Sequence, residues 1–193
     1  MNYLAHFYLS HHDENLIVGN YIADDVKGNK YLDYPSDIQE GILLHRLIDD
    51  YTDNHQRVLN STKTVRPTQR KYAPVVIDLL YDHLLAKDWK NHANDDLLEF
   101  TNKVYRILNQ NKNLLPEHSK MRLYYMEKHN WLYNYRHYEG IKRALSGLSR
   151  RTIFENNMHE AASLLEVYEP QIKADFNEFF PEIRKHVRAH ISI

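Results

Sequence analysis

Apolar side chains recur along most of this chain at intervals of three and four residues, the spacing that is typical of amphipathic α-helices. No long segment alternates apolar and polar residues, and only five glycines and six prolines interrupt the sequence. The pattern therefore predicts an all-α protein. Because no linker, repeat or low-complexity tract marks a boundary, we expect one helical domain over residues 1–193.

Capping and helix-breaking residues predict where the helices begin and end. Ser36 is expected to cap a long third helix, with Gln39 as its capping-box partner. Pro74 is expected to kink the fourth helix or to delay its start, and Pro181 to kink the last. The predicted helices cover about 2–11, 14–27, 36–65, 68–90, 95–111, 116–151 and 153–168, and a last helix begins at 170. The segment 116–151 is expected to be broken near 134–139 and at 146–147.

The third helix carries ionisable residues on the face that its apolar residues mark as buried. At about 100° per residue, His45 and Asp49 share an arc with Ile38 and Ile42. Burying a carboxylate costs several kcal/mol unless a cation or a set of hydrogen bonds compensates. The pair indicates either two ligands for one metal ion or a His–Asp hydrogen bond within the helix.

The fourth helix repeats this feature. Asp78 and Asp82 are four residues apart and share a face with Val75, Leu85 and Trp89. Two carboxylates on one face repel each other unless a divalent cation or an arginine reverses the sign. A solvated acidic face is the alternative, and the apolar neighbours weigh against it. Two such helices indicate a metal site inside a bundle.

Four other residues are candidates for the same site. His6 lies on an apolar first helix, where a lone histidine is more often a hydrogen-bonded core residue than a ligand. Asp24 is expected to face inward, with a cap on the following loop as the alternative. His83 is rotated by about 100° from the acidic face and can act as a base from the side. Arg46 flanks the predicted site and can meet an anionic substrate.

The composition limits the ligands, the nucleophiles and the partners that this protein can use. There are no cysteines, so thiolate ligands and thiol nucleophiles are excluded, and the remaining donors suit Mn²⁺, Mg²⁺, Fe²⁺ or Zn²⁺. A net charge of −1 argues against nucleic-acid binding. No apolar run approaches the ~20 residues that span a bilayer, and no secretory signal is present. We expect a cytoplasmic protein without membrane attachment.

Ordered motifs along nearly the whole chain resemble the acyl carrier protein phosphodiesterases. They are MNYLAH (1–6), GNYIADDVKG (19–28), GILLHRLID (41–49), TDNH (52–55), YDH (81–83), NWLYNY (130–135) and SGLSRR (146–151). Each motif alone is weak, but the ordered set is specific. The resemblance implies an HD-domain-like helical bundle, from an unusual branch of the HD phosphohydrolase superfamily.

The resemblance also implies an activity. Members of this family use a divalent metal, commonly Mn²⁺, to hydrolyse the phosphodiester between 4′-phosphopantetheine and a serine of acyl carrier protein, which converts holo carrier into apo carrier. The residues that it implies as metal ligands are His6, His45, Asp49, Asp78 and Asp82, with Asp24, His83 and Arg46 as catalytic residues. The superfamily usually has an adjacent His-Asp pair, whereas His45 is followed here by Arg46.

Acyl carrier proteins are strongly acidic, so a nearly neutral enzyme needs a local basic patch to attract them. The basic residues predicted for this contact are Arg66, Arg70 and Lys71, between the two metal-bearing helices, and Arg150 with Arg151 in the last motif.

Two other functions remain open at this stage. The first is an HD-type phosphohydrolase that acts on a nucleotide or another small phosphoester. The second is a non-catalytic helical adaptor whose His and Asp residues form buried hydrogen bonds. Fold analogy alone does not choose between them.

Overall fold

The chain folds into a helical bundle without strands, in a computed structural model that describes residues 1–191. The α-helices of this range are α1 (Tyr3–Leu9), α2 (Glu14–Ile22), α3 (Ser36–Asn54), α4 (Gln56–Gln69), α5 (Ala73–Lys87), α6 (Leu97–Gln110), α7 (Glu117–Lys128), α8 (Trp131–Asn134), α9 (Tyr138–Arg151) and α10 (Leu164–His190). Short 3₁₀ turns join several of them. The predicted all-α bundle is confirmed.

Helix α5 is the centre of the bundle. Its side chains are buried almost continuously from Val76 to Ala86, on every face of the helix. A helix that is buried all round is surrounded by others, and α5 packs against α1, α4, α9 and α10. Any acid on this helix must therefore find a partner inside the protein.

Helices α2 and α3 cross at two glycines. A Cβ added at Gly19 would lie 2.2 Å from the carbonyl oxygen of Ile38, and one added at Gly41 would lie 2.7 Å from the carbonyl oxygen of Leu16. Only glycine permits this approach of the two backbones. The close crossing brings the polar residue after Gly19, Asn20, next to the middle of α3.

The long third helix is two helices, contrary to the prediction. His55 is extended, with φ −77° and ψ 131°, and its Nδ1 accepts from the backbone N–H of Arg57 at 3.2 Å, which caps α4. The predicted Ser36 cap is also wrong: α3 begins after Pro35, and the Ser36 hydroxyl donates to Asp37 at 3.0 Å. Local capping therefore prevails over a continuous apolar pattern.

The carboxyl-terminal third departs further from the prediction. Helix α9 continues through 146–147, and the predicted helix over 153–168 is replaced by a 3₁₀ segment, Met158–Ser163, that leads into α10. Pro170 and Pro181 lie inside α10, and both are exposed. Water can reach the carbonyl groups that these prolines leave without an N–H donor, so the helix continues past them.

No helix among residues 1–191 combines the length and apolar character needed to cross a membrane.

Candidate metal centre

Three predicted ligands meet at one point in the structure. His6 from α1 and His45 from α3 stack their rings, with centroids 4.2 Å apart. Asp49 lies beside both: its Oδ1 is 3.2 Å from His6 Nε2, and its Oδ2 is 3.0 Å from His45 Nε2. One donor atom from each residue lies within 4.8 Å of the others, so this cluster can hold a metal ion.

Asn20 fixes the orientation of both imidazole rings. Its amide nitrogen donates to the carbonyl oxygen of His6 and to the hydroxyl of Ser10, each at 3.1 Å. Its Oδ1 must therefore face the rings, where it accepts from Nδ1 of His6 at 2.8 Å and from Nδ1 of His45 at 2.9 Å. With Nδ1 protonated on both rings, both Nε2 atoms turn toward Asp49, as metal-binding histidines require.

The charges in this cluster call for a cation. If both rings were neutral, two nitrogen lone pairs would face a carboxylate with no proton between them. Burial opposes a charge on His45, but Asp24 and Asp49 outweigh it and raise the pKa of His45 to about 9. Burial and the neighbouring His45 lower the pKa of His6. A proton on His45 can therefore stand where a metal would bind.

The carboxylate of Asp49 stays ionised in this setting. Burial alone would raise the pKa of Asp49, but the two imidazoles beside it, His45 before His6, hold it well below the usual range. An ionised carboxylate and two imidazoles with free Nε2 atoms form a donor set that suits Mn²⁺, Fe²⁺ or Zn²⁺. The residues fit a divalent cation.

Asp24 lies at the edge of the cluster. It follows α2 in a short 3₁₀ turn, and its Oδ1 is 3.5 Å from His45 Nε2. The hydrogen bond with His45 lowers the pKa of Asp24, so this carboxylate is ionised at neutral pH. About half of its side chain is exposed, which leaves it open to the adjoining cavity.

The two acids of α5 have other partners. Asp82 is fully buried and accepts from the backbone N–H groups of Leu4 at 2.8 Å and Ala5 at 3.2 Å. It therefore holds the first turn of α1, the helix that carries His6. Burial raises the pKa of Asp82 to about 7, although these N–H groups favour the ionised form. Asp78 accepts from the α-amino group of Met1 at 2.9 Å.

The structure places His83 and Arg46 away from the cluster. His83 is buried, and its Nδ1 donates to the carbonyl oxygen of Tyr135 at 2.7 Å. Arg46 donates to the carbonyl oxygens of Val26 at 3.1 Å and Gly28 at 2.8 Å, which fixes the loop after Asp24. Neither residue lines the cavity next to the cluster.

The cluster opens into a cavity of about 1010 Å³, the size of a site for a small organic group. Its lining includes the cluster and further acids, which are His6, His45, Asp49, Asp24, Asp53 and Asp78. The same lining carries basic and aromatic side chains, which are Arg122, Tyr125, His129, Trp131, Arg143, Arg150 and Arg151. A cavity that combines a candidate metal site with arginines suits an anionic substrate.

Arg122 is a functional candidate that the sequence did not reveal. Its Nη2 donates to Asp25 Oδ2 at 2.8 Å, and its guanidinium lies 5.0 Å from the ring centre of Tyr21 and 5.5 Å from that of Tyr3. Asp25 thus has a role: it holds Arg122 at the cavity wall. The sequence could have indicated that Asp25 has a cationic partner. The helical period relates residues within one helix only, so it could not identify Arg122 as that partner.

The predicted basic patch divides into two parts. Arg150 and Arg151 line the cavity, whereas Arg66, Arg70 and Lys71 are exposed outside it. The two parts are neighbours, because Nζ of Lys71 lies 3.8 Å from the ring centre of Phe154, just beyond the end of α9. Lys71 therefore lies near the end of α9, the helix that carries Arg150 and Arg151.

Comparisons with known proteins identify the family of this chain. The sequence profile of the family described as "Acyl carrier protein phosphodiesterase" matches residues 1–183. A Klebsiella pneumoniae protein with that name is 33% identical over 190 residues, which cover 96% of each chain. Proteins of the same name from Enterobacter sp. and Escherichia coli O139:H28 are 31% and 30% identical, and each match covers 95% of both chains. No solved structure matches the chain. The conclusion is that this chain belongs to the acyl carrier protein phosphodiesterase family.

Proposed function

We propose that this protein hydrolyses the phosphodiester that joins 4′-phosphopantetheine to a serine of acyl carrier protein. In this reaction water forms the new bond to phosphorus, the bond from phosphorus to the serine oxygen breaks, and that oxygen takes up a proton. The products are free 4′-phosphopantetheine and the apo carrier. The family supplies the substrate class. The proposed compartment is the cytoplasm.

One observation carries the proposal: a single amide oxygen holds two histidines with both Nε2 atoms directed at a carboxylate, inside a cavity with an arginine wall. We propose that His6, His45 and Asp49 bind a divalent cation, with Mn²⁺ as the first candidate and Mg²⁺ or Fe²⁺ as alternatives. Such a cation polarises a phosphoryl oxygen and lowers the pKa of bound water.

In this proposal Asp24 is the general base for the attacking water. Its ionised carboxylate is half-exposed at the cavity wall beside His45. It can accept a hydrogen bond from water in the cavity and take up its proton as the new bond to phosphorus forms.

In this proposal the arginines of the cavity lining bind the anionic substrate. Arg122 is fixed by Asp25 and therefore loses little conformational freedom when it meets a phosphoryl oxygen. Arg143 and Arg150 are exposed cations of the same lining. In this scheme Asp78, Asp82, His83 and Arg46 support the site instead of touching the substrate.

We also propose that the bundle is HD-like, with Asp49 one helical turn after His45 in place of the adjacent aspartate of the HD pair. The rim favours a carrier protein over a free nucleotide, since an open basic face is what an acidic protein partner needs. Arg70 and Lys71 add to that face beyond the cavity.

Intact mass spectrometry tests the proposal. Holo acyl carrier protein incubated with the protein and Mn²⁺ is expected to lose the mass of 4′-phosphopantetheine, and chelation of the metal should prevent this. Asp49→Asn should be inactive. Asp50→Asn is the matched control, because Asp50 is exposed on the same helix and lies outside the cluster. A holo carrier that keeps its mass with metal-loaded protein would overturn the proposal.

A further inference from the structure

Helix α9 contains two glycines, and the structure requires only one of them. A Cβ at Gly140 would lie 1.8 Å from the carbonyl oxygen of Asn134, so a side chain there would force α8 and α9 apart. Among the described residues, nothing lies within 4 Å of the position that a Cβ would take at Gly147. Packing therefore explains the first glycine and leaves the second without a structural reason.

Backbone conformation does not explain Gly147 either. It lies inside a continuous helix, and its φ is not positive; the positive-φ glycine of the described residues is Gly28. Glycine is among the least favourable residues for a helix interior. Gly147 weakens α9 and relieves no clash or strain. Its use at this position therefore indicates that a side chain here would occupy space that must stay empty.

The empty space lies in the wall of the cavity. Gly147 lines it, and so do Arg143 and Arg151, one helical turn before and one turn after it. Arg151 is held by a hydrogen bond from its Nε to the carbonyl oxygen of Gly147 at 3.2 Å. The missing side chain thus leaves a notch between two cations, in the lining of the cavity that the candidate metal cluster also borders.

We propose that Gly147 is a specificity-determining residue: the notch between Arg143 and Arg151 admits the long pantetheine arm while the arginines bind its phosphoryl end. This inference rests on the proposed function. On one side of the scissile phosphodiester is the folded carrier protein, and on the other is the pantetheine arm, which is small enough for a cavity of about 1010 Å³. The notch therefore favours diesters that carry this long arm over short ones.

Two chromogenic diesters distinguish an effect on binding of the arm from an effect on the reaction itself. They are 4′-phosphopantetheine p-nitrophenyl ester, which carries the arm, and methyl p-nitrophenyl phosphate, which lacks it. Gly147→Leu is expected to lower kcat/KM for the first diester and for holo carrier by about 10–200-fold, the range for a misfit in a pocket. Hydrolysis of the methyl diester should stay within about twofold of wild type. Ser149→Leu, outside the cavity lining, is the matched control and should leave all three rates near wild type.

Thermal stability provides a readout besides activity. Gly147→Ala should raise the Tm by about 2–4 °C, because alanine favours the helix and its methyl group has room. A lower Tm would show that the fold needs this glycine and would overturn the inference. An equal loss on both diesters, or no loss on the arm-bearing one, would overturn it as well. If wild type cleaves the methyl diester but neither arm-bearing substrate, the proposed function itself fails, and the inference fails with it.

Discussion

Two pairs of ionisable residues have the same spacing along this chain and different surroundings in the fold. His45 and Asp49 on α3 face each other across 3.0 Å at the end of a cavity. Asp78 and Asp82 on α5 point to two different partners, an α-amino group and the first turn of α1. Spacing on one helix thus shows which side chains share a face, and the neighbouring helices decide what that face does.

The difference follows from where each helix lies. One face of α3 is open to the cavity, so its pair can meet a solute from outside. On α5, Asp78 also borders the cavity, but Asp82 is fully buried and is satisfied by the protein itself, through two backbone N–H groups. A buried carboxylate with such partners anchors another element. Under the proposed function the first pair serves the chemistry and the second positions the start of the chain and α1, and substitutions can test that division.

The largest effect is expected for Asp49→Asn. The amide removes the charge that both Nε2 atoms face, so bound Mn²⁺ and activity should fall below about 1% of wild type, more than the ~10–100-fold typical of residues that only support ligands. Elemental analysis and the release of phosphopantetheine measure this, and helical circular dichroism should be unchanged. Retention of full metal content would remove Asp49 from the ligand set.

For Asp82→Asn we expect a loss of stability first. The amide replaces two charge-assisted hydrogen bonds and turns an N–H group toward at least one backbone donor, which should cost about 2–3 kcal/mol of the free energy of unfolding. Chemical denaturation of the metal-free variant measures this. The opposite pattern, metal lost with stability unchanged, would make Asp82 a ligand and erase the contrast between the two pairs.

Asn20→Ala should weaken metal binding without unfolding the protein. The two imidazoles lose the oxygen that fixes their Nδ1 protons, and metal affinity should fall by about 10–100-fold. Titration calorimetry with Mn²⁺ gives the affinity. Ser10→Ala is the milder control, because it removes a partner of the Asn20 amide nitrogen and leaves both ring contacts in place.

Metal affinity should rise with pH. In the metal-free protein the pKa of His45 is raised to about 9, so below that pH a proton must leave before the metal binds. We expect about a tenfold gain per pH unit between pH 7 and 9. The sign for stability is the reverse: the charged His45 stabilises the metal-free fold below about pH 6.5, and this contribution is lost as pH rises through about 9. An affinity that does not change over this range would show that His45 is neutral without metal.

The smallest effect is expected at the rim. Arg70→Glu should raise KM for holo carrier a few-fold and alter its salt dependence, with kcat unchanged, since an exposed charge outside the cavity acts on encounter. Lys112→Glu, on the turn after α6, serves as the control. Parallel losses with carrier and with a small diester would place Arg70 in the catalytic site or the fold.

The helical period predicts His45 and Asp49 because their partnership lies within one helix, and the motifs add His6 by resemblance. The structure brings these three together. Asn20 and Arg122 are different, since each acquires its role only when helices distant in sequence meet. The division of the third helix at His55 escapes the sequence for a related reason: a side-chain cap on one backbone N–H outweighs the apolar pattern.

The two glycines where α2 crosses α3 have a consequence for which substitutions would abolish activity. Neither Gly19 nor Gly41 is in the ligand set, yet the smallest possible side chain at Gly19 would meet a backbone atom 2.2 Å away. Any substitution pushes apart the helices that carry Asn20 and His45, so a mutational scan should show the same intolerance at these glycines as at the histidines. A phenotype of lost activity can therefore arise at positions that no chemical probe of the metal centre would detect.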